Sequence, residues 1–359
     1  MATSQRTRPP RREGVRGDAP EYREGVRGDA PEYREGVRGD ASDICGVSTD
    51  VVLGIPPLRG RAGGRPRHSR TSLASGLVAL ARPRQWTKNV LVFAAPAAAG
   101  LLSRPRVMVL VTVAFACFCL AASGTYYLND VFDAKADRLH PRKRYRPVAA
   151  GVVPLGLART VGVALLAGAL ALAAGVAGAQ LTLVLGVYVA LMFAYSCRLK
   201  HVPVVELGVV ASGFVFRAVA GGVATGIQMS QWFLIVISFA SLFVVVGKRF
   251  AEHAALGDSS VGHRKSLGEY SPAFLRYVGA IASAVAIIAY CLWAFTRISG
   301  GMLWYELSIA PFVLGMLYYV LQAEKGRTGA PEEVFLTDRT LQLLGLLWLA
   351  LFLAGVHGL

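Results

Sequence analysis

Asn129-Asp130-Val131-Phe132-Asp133-Ala134-Lys135-Ala136-Asp137-Arg138, followed closely by His140-Pro141-Arg142-Lys143-Arg144-Tyr145-Arg146-Pro147, is the stretch that decides what this chain is. It comes directly after an apolar run, Val107 to Leu128, long enough to cross a bilayer as a helix. Continued past Leu128, that helix places Asn129, Asp133 and Asp137 at i, i+4 and i+8. Each step drifts by only about 40°, so the three side chains form one stripe with Asp130 beside it. Oxygen-bearing side chains on one face repel one another unless a cation sits among them. Hard oxygen ligands of this kind suit Mg²⁺, which takes one or two carboxylates together with substrate phosphates. The basic block that follows supplies the complement: Arg142, Lys143, Arg144 and Arg146 can neutralise a phosphorylated ligand. A solvated loop after a membrane helix also carries charge, but it has no reason to put its acids on one face beside a dense cationic cluster.

Working outward, the chain alternates apolar runs with short polar links. Its residues are 54% hydrophobic and only 17% charged, too few charges for a soluble protein of 359 residues. Nine apolar segments can be marked, at about 89–103, 107–128, 157–178, 180–197, 203–223, 231–247, 273–296, 304–322 and 340–358. Pro96 is expected to kink the first. Ala177-Gly178-Ala179-Gln180 divides the third from the fourth. The fold class expected is therefore all-α, a polytopic membrane bundle of about nine transmembrane helices.

Lysine and arginine sort by loop. The links after the second, fourth, sixth and eighth segments carry sixteen, counting Arg276 at the start of the seventh segment, and those after the first, third, fifth and seventh carry three. That asymmetry places the even-numbered links, and the acidic stripe with them, in the cytoplasm of a cell-membrane protein. The net charge of +16 then reads as attraction to anionic lipid surfaces, and no nucleic-acid motif is visible. Five cysteines, mostly in or beside apolar runs, show neither a disulfide framework nor zinc spacing.

Residues 1–71 form a different domain from residues 72–359. Eleven-residue repeats begin at Arg12, Arg23 and Arg34, and each is too poor in large apolar side chains to bury a core, so the tail is expected to be disordered. An over-extended start of the reading frame would leave the same signature. From Thr71, Leu73, Leu77, Val78 and Leu80 suggest a short amphipathic lead-in helix. Trp86 then suits the membrane interface, and Lys88 lies at the mouth of the first segment.

Three further places carry charge at or inside the membrane. Tyr195-Ser196-Cys197-Arg198-Leu199-Lys200-His201 ends the fourth segment on the cytoplasmic side. Glu206 and Arg217 share a face of the fifth, where ionisable groups face a polar cavity or a partner. Either could instead make a structural ion pair to another helix; of the two, Glu206, nearer the cytoplasm, is the site candidate. Arg217 has two readings: contact with an anionic lipid headgroup, or an ion pair. Lys248 and Arg249 close the sixth segment, where they serve a ligand or simply snorkel.

Nine spans with an NDxxDxxxD sequence after the second resemble the UbiA-type membrane prenyltransferases. The resemblance covers about residues 72–359. It implies an intramembrane bundle in which the Asp-rich motif holds Mg²⁺ and a diphosphate. Those enzymes usually carry a second acidic motif after the fourth span, where this chain has Lys200 and no aspartate. With RPRQWTKN (82–89), the 129–151 stretch, LKHVPVVE (199–206) and GKRFAE (247–252), the chain is similar to the decaprenyl-phosphate phosphoribosyltransferase branch.

That resemblance implies transfer of 5-phosphoribose from 5-phosphoribosyl diphosphate to a polyprenyl (decaprenyl) phosphate, on the route to cell-wall arabinan. The rival is prenyl transfer to an aromatic or quinone-type acceptor. It further implies Mg²⁺ on Asn129, Asp133 and Asp137, and a carboxylate beside the oxocarbenium-like ribose, Asp130 or Glu206. Phosphates would meet Lys88, Lys143, Arg144, Tyr145, Arg146, Lys200, Arg217, Lys248 and Arg249. A homo-oligomer is among the arrangements the sequence allows.

Overall fold

The computed structural model describes residues 72–140, 143–256, 269–296, 302–325, 334 and 337–358. The repeat tail, Arg142, and the loop cations Arg264 and Lys265 lie outside the described residues. Among them every regular element is helical: α1 (Leu73–Ala81), α2 (Ala94–Ala98), α3 (Pro105–Phe132), α4 (Ala134–Leu139), α5 (Leu155–Leu172), α6 (Gly178–Cys197), α7 (Val205–Thr225), α8 (Gln231–Leu256), α9 (Pro272–Phe295), α10 (Met302–Glu324) and α11 (Arg339–His357). Seven helical stretches are long and apolar enough to cross a membrane, one of them the 43-residue stretch Leu155–Cys197.

That 43-residue stretch is two crossings. A π-turn spans Ala173–Ala177, and Gly178 follows with φ +84° and ψ −177°, a conformation that a residue with a Cβ adopts only under strain. Arg138 Nε donates to the Ala149 carbonyl, tying the approach to α5 to α4. At the other end, just past α6, Lys200 Nζ lies 3.2 Å from Asp133 Oδ1. Both ends of the pair thus return to the end of α3, and the chain must reverse at Gly178. α5 packs on α3, while α6 packs on α7.

The first crossing departs from the expectation of a kinked α-helix over 89–103. Pro83–Phe93 is a 3₁₀-helix, and only Ala94–Ala98 is α-helical. Two constraints explain this. Arg82 is bonded to Asp130 near one end of α3, and Arg104 is the N-cap at the other end. Asp130 is 25 residues beyond Pro105, about 37 Å along an α-helix, whereas the 22 steps from Arg82 to Arg104 would cover only about 33 Å. The 3₁₀ rise of about 2.0 Å per residue closes the difference. Pro96 also has no N–H to give the Val92 carbonyl four residues back. That carbonyl rests on α7 at Gly221, where any Cβ would collide with its oxygen.

The bundle interior is built from small and aromatic residues. Val111, Phe118, Leu181, Leu185, Tyr188 and Ala220 form one core where α3, α6 and α7 meet. Lipid tails are as apolar as leucine, so close packing rather than expulsion of water holds such helices together. A second cluster, Tyr290, Trp293, Tyr305 and Phe352, joins α9, α10 and α11. α3 has 28 residues, about 42 Å, against a hydrocarbon layer of about 30 Å. Its last turns therefore project beyond the apolar zone and carry the polar stretch into the interface.

Gly221→Ala should displace the 3₁₀ segment and cost about 3 kcal/mol of stability. The check is the thermal unfolding midpoint of the detergent-purified protein, with Gly168→Ala, where a Cβ meets nothing within 4 Å, as the control.

Candidate active site

Three connections fasten the end of α3 to the lead-in. Tyr127 Oη donates to the Leu77 carbonyl at 2.6 Å, Ser123 Oγ to the Ala81 carbonyl at 3.0 Å, and Trp86 Nε1 to Ser123 Oγ at 3.1 Å. Between them Arg82 turns the chain from α1 into the 3₁₀ segment in a left-handed conformation, φ +50°. Its guanidinium stacks over Tyr126 and donates to Asp130 Oδ1 at 2.8 Å.

α3 ends at Phe132, but the acidic stretch stays nearly continuous. Asp133 N–H donates to the Asn129 carbonyl and Asp137 N–H to the Asp133 carbonyl, and α4 begins at Ala134. The acids nevertheless divide into two kinds. Asp130 and Asp137 are each only 3% exposed. Arg146 joins them, with Nη1 at 2.8 Å from Asp137 Oδ2 and 3.5 Å from Asp130 Oδ1. Asp133 is different. Its side chain is 37% exposed, and its carboxylate meets the Lys200 ammonium at 3.2 Å. Asn129 lies one turn before it, half-buried.

Among the described residues no three His, Cys, Asp or Glu side chains converge as a metal site. Mg²⁺ asks less than that when substrate phosphates complete its shell. Asn129 and Asp133, adjacent on the helix and accessible, fit the demand. Asp137 does not fit as a direct ligand in this arrangement, because it is buried and its Oδ2 is bonded to Arg146.

The cations expected from sequence also divide. Lys143, Arg144 and Tyr145 stand exposed on a short 3₁₀ turn, Arg144 donating to Tyr145 Oη at 2.7 Å. With Arg146, bonded to Asp130 and Asp137, and Lys200, bonded to Asp133, they make up an accessible basic rim. Lys88, half-buried in the first crossing, is already engaged. Lys248 is accessible, 4.0 Å from Glu252.

Arg249 and Glu206, expected as ligand-facing groups, are engaged with each other instead. Arg249 Nε and Nη2 donate to the two Glu206 oxygens at 2.9 and 2.8 Å, and Nη1 donates to Glu252 at 2.7 Å. Glu206 is 0% exposed. A buried carboxylate with both oxygens bonded has no face left for a ribose; Asp130 is buried too, with Arg82 and Arg146 both on its Oδ1.

Arg217 makes no ion pair among the described residues. It meets neutral groups: Nε donates to Asn89 Oδ1 at 2.7 Å, Nη2 to Tyr188 Oη at 3.1 Å and Nη1 to the Gly213 carbonyl, with Phe118 and Tyr188 rings facing the charge. It joins the first crossing to α6 and α7.

Sequence reasoning missed Arg82, Glu252 and Tyr270 as individual residues. Tyr270, next to the N-cap of α9, is buried, and its hydroxyl accepts the Val204 N–H at 2.7 Å. Burial pushes its phenol above the ordinary range and Glu206 adds to the rise, against Val204 N–H and Arg249, which lower it. The phenol is therefore neutral at physiological pH.

With this geometry described, comparison with known proteins defines the class. Residues 89–355 match the model of the UbiA prenyltransferase family, and the chain belongs to that family. It is similar to proteins named decaprenyl-phosphate phosphoribosyltransferase. One, from Corynebacterium glutamicum, is 43% identical over 82% of this chain and 90% of its own length; another, from Mycobacterium tuberculosis, is 47% identical over 79% and 95%. Among solved structures, a UbiA homologue from Archaeoglobus fulgidus bound to GPP and Mg²⁺ has the same fold, with a TM-score of 0.57 at 19% identity, covering 79% of this chain and 98% of that one.

Arg249→Met should leave Glu206 buried without its partner and destabilise the protein by about 3–5 kcal/mol. Glu206→Met combined with Arg249→Met should recover most of that loss, as read from paired thermal unfolding curves.

Proposed function

We propose that this protein transfers 5-phosphoribose from 5-phosphoribosyl diphosphate to decaprenyl phosphate or a related polyprenyl phosphate, releasing diphosphate. The product is a precursor of cell-wall arabinan, and the active site opens to the cytoplasmic face of the cell membrane. The relatives above support the reading across most of the chain. The observation that carries it over prenyl transfer to an aromatic acceptor is the Lys200–Asp133 pair. A cation stands beside the accessible aspartate in the region where UbiA-type enzymes usually place further acids. This rim holds more phosphate charge and less metal.

The reaction needs phosphate binding and leaving-group stabilisation more than proton transfer. An oxygen of the lipid phosphate forms a bond to ribose C1. The bond from C1 to the diphosphate oxygen breaks, and diphosphate departs with the electron pair. The attacking oxygen is already anionic, so no strong general base is required. Mg²⁺ held by Asn129 and Asp133 would offset the charge building on the departing diphosphate. Lys200 at Asp133, and Arg146 at the neighbouring Asp130 and Asp137, supply fixed positive charge that is stronger in a partly desolvated site than in water. Lys143 and Arg144, exposed at the rim, suit the ribose 5-phosphate or the lipid phosphate. Buried Asp130 and Asp137 hold the arginines in place.

Asp133→Ala should abolish turnover while leaving the unfolding curve unchanged, and chelation of divalent metal should stop the wild type. The assay supplies labelled 5-phosphoribosyl diphosphate and decaprenyl phosphate, with a parallel reaction of a prenyl diphosphate and an aromatic acceptor. A lipid-extractable phosphoribosyl product in the first alone is expected. Product only in the second reaction would overturn the assignment.

Lys200→Ala should raise the KM for the phosphoribosyl donor at least about tenfold, the loss of one charge-assisted contact. The check is steady-state kinetics with the donor as the varied substrate.

A further inference from the structure

Among the described residues only two that are not glycine have positive φ: Arg82 and Val204. Arg82 has a visible reason, its bond to Asp130. Val204 has φ +65° and ψ −50°, and Val205 N–H donates to the Pro203 carbonyl at 2.7 Å. This is a tight three-residue turn of the rare, strained hand. A β-branched residue is among the least suited to it. The valine side chain is 58% exposed, so its own packing does not hold the turn.

What holds it lies around it. On one side, His201 and Val202 N–H donate to the Arg198 and Leu199 carbonyls. On the other, Glu206 N–H donates to the Val202 carbonyl, and Leu207 and Gly208 N–H to the Val204 carbonyl. The remaining group, the Val204 N–H, is received by Tyr270 Oη. Tyr270 is itself fixed: it is 3% exposed and its ring stacks on Phe274. Four residues before Val204 is Lys200, and two residues after it is Glu206, anchored to Arg249. The turn is thus the short link between an immobile carboxylate and the lysine that faces Asp133.

We propose that Tyr270 is a positioning residue: its hydroxyl holds the strained turn at Val204 in the conformation that aims Lys200 at Asp133. Strain stored beside a site persists only when surrounding bonds over-determine it, and here the bond comes from a different helix pair. The proposal rests on the reading of Lys200 as a ligand of the donor diphosphate. It adds a residue that touches no substrate and acts through the backbone of another segment.

The test compares Tyr270→Phe with Tyr270→Phe/Val204→Gly in the full-length protein, purified in detergent with lipid. Glycine adopts positive φ without strain, so the second change restores the turn without the hydroxyl. Tyr270→Phe should raise the donor KM about tenfold, the scale of one lost hydrogen bond to a buried group. Its kcat should stay within about twofold, since the transition-state contacts survive once donor is bound. The double variant should return the KM to within about threefold of wild type. A Tyr270→Phe KM within twofold of wild type overturns the proposal. So does a loss that Val204→Gly does not recover, which would mean that the hydroxyl serves Glu206 or the fold. Should the wild type use only a prenyl diphosphate, the proposed function fails, and the same three proteins test the turn with that diphosphate as the varied substrate.

Discussion

Two carboxylates buried at the polar end of α3 set the terms for everything near them. Asp130 and Asp137 are ionisable groups with almost no access to water. Such groups are sustained only by cations brought in with good geometry. Arg82 arrives from the lead-in and Arg146 from the linker to α5, and Arg146 serves both acids. To deliver them, the chain adopts a left-handed turn at Arg82 and folds the linker back beneath α3 and α4. Tyr127, Val148 and Val153 bury that linker against Leu80. The basic rim is in part a by-product of neutralising α3.

The same accounting separates structural charge from chemical charge. Glu206, Arg249 and Glu252 form a closed set between α7 and α8, and Arg217 is closed among neutral dipoles and ring faces. Of the residues expected at the site, Asn129, Asp133, Lys200, Arg146, Lys143, Arg144, Tyr145 and Lys248 are the accessible ones. A site with one open carboxylate and several cations suits a substrate pair that carries a diphosphate and two monophosphates. Membership of the UbiA family supplies the frame, and the charge balance at Asp133 bends it toward phosphorylated sugars.

Much of this was legible in advance. Apolar run lengths placed eight of the crossings to within a few residues at most ends, with α8 running two turns further than expected. The helical period put Asn129 and Asp133 on one face, as the structure has them. Partner choice was not legible, because periodicity says which face a residue occupies and not which helix meets that face. Hence Asp130, Glu206 and Arg249 looked available when each is consumed by a partner far away in sequence. The 3₁₀ form of the first crossing was hidden for a related reason: it follows from the length of α3 and from Gly221, neither of which is local. Val204 carries no sequence signal of its turn at all, since composition would assign such a conformation to glycine or asparagine.

The first crossing has a consequence for how the protein is made. A 3₁₀ segment with Lys88 and Asn89 inside it, followed by a proline with no N–H to give the Val92 carbonyl, is a poor candidate for entering lipid alone. Its carbonyl rests on Gly221 and its asparagine on Arg217, both of α7, more than 120 residues later in the chain. α7 in turn carries a guanidinium whose bonding is incomplete until Asn89 is beside it. Each segment supplies what the other lacks in a membrane. The N-terminal crossing can therefore complete its bonding inside the membrane only once α7 is in place beside it.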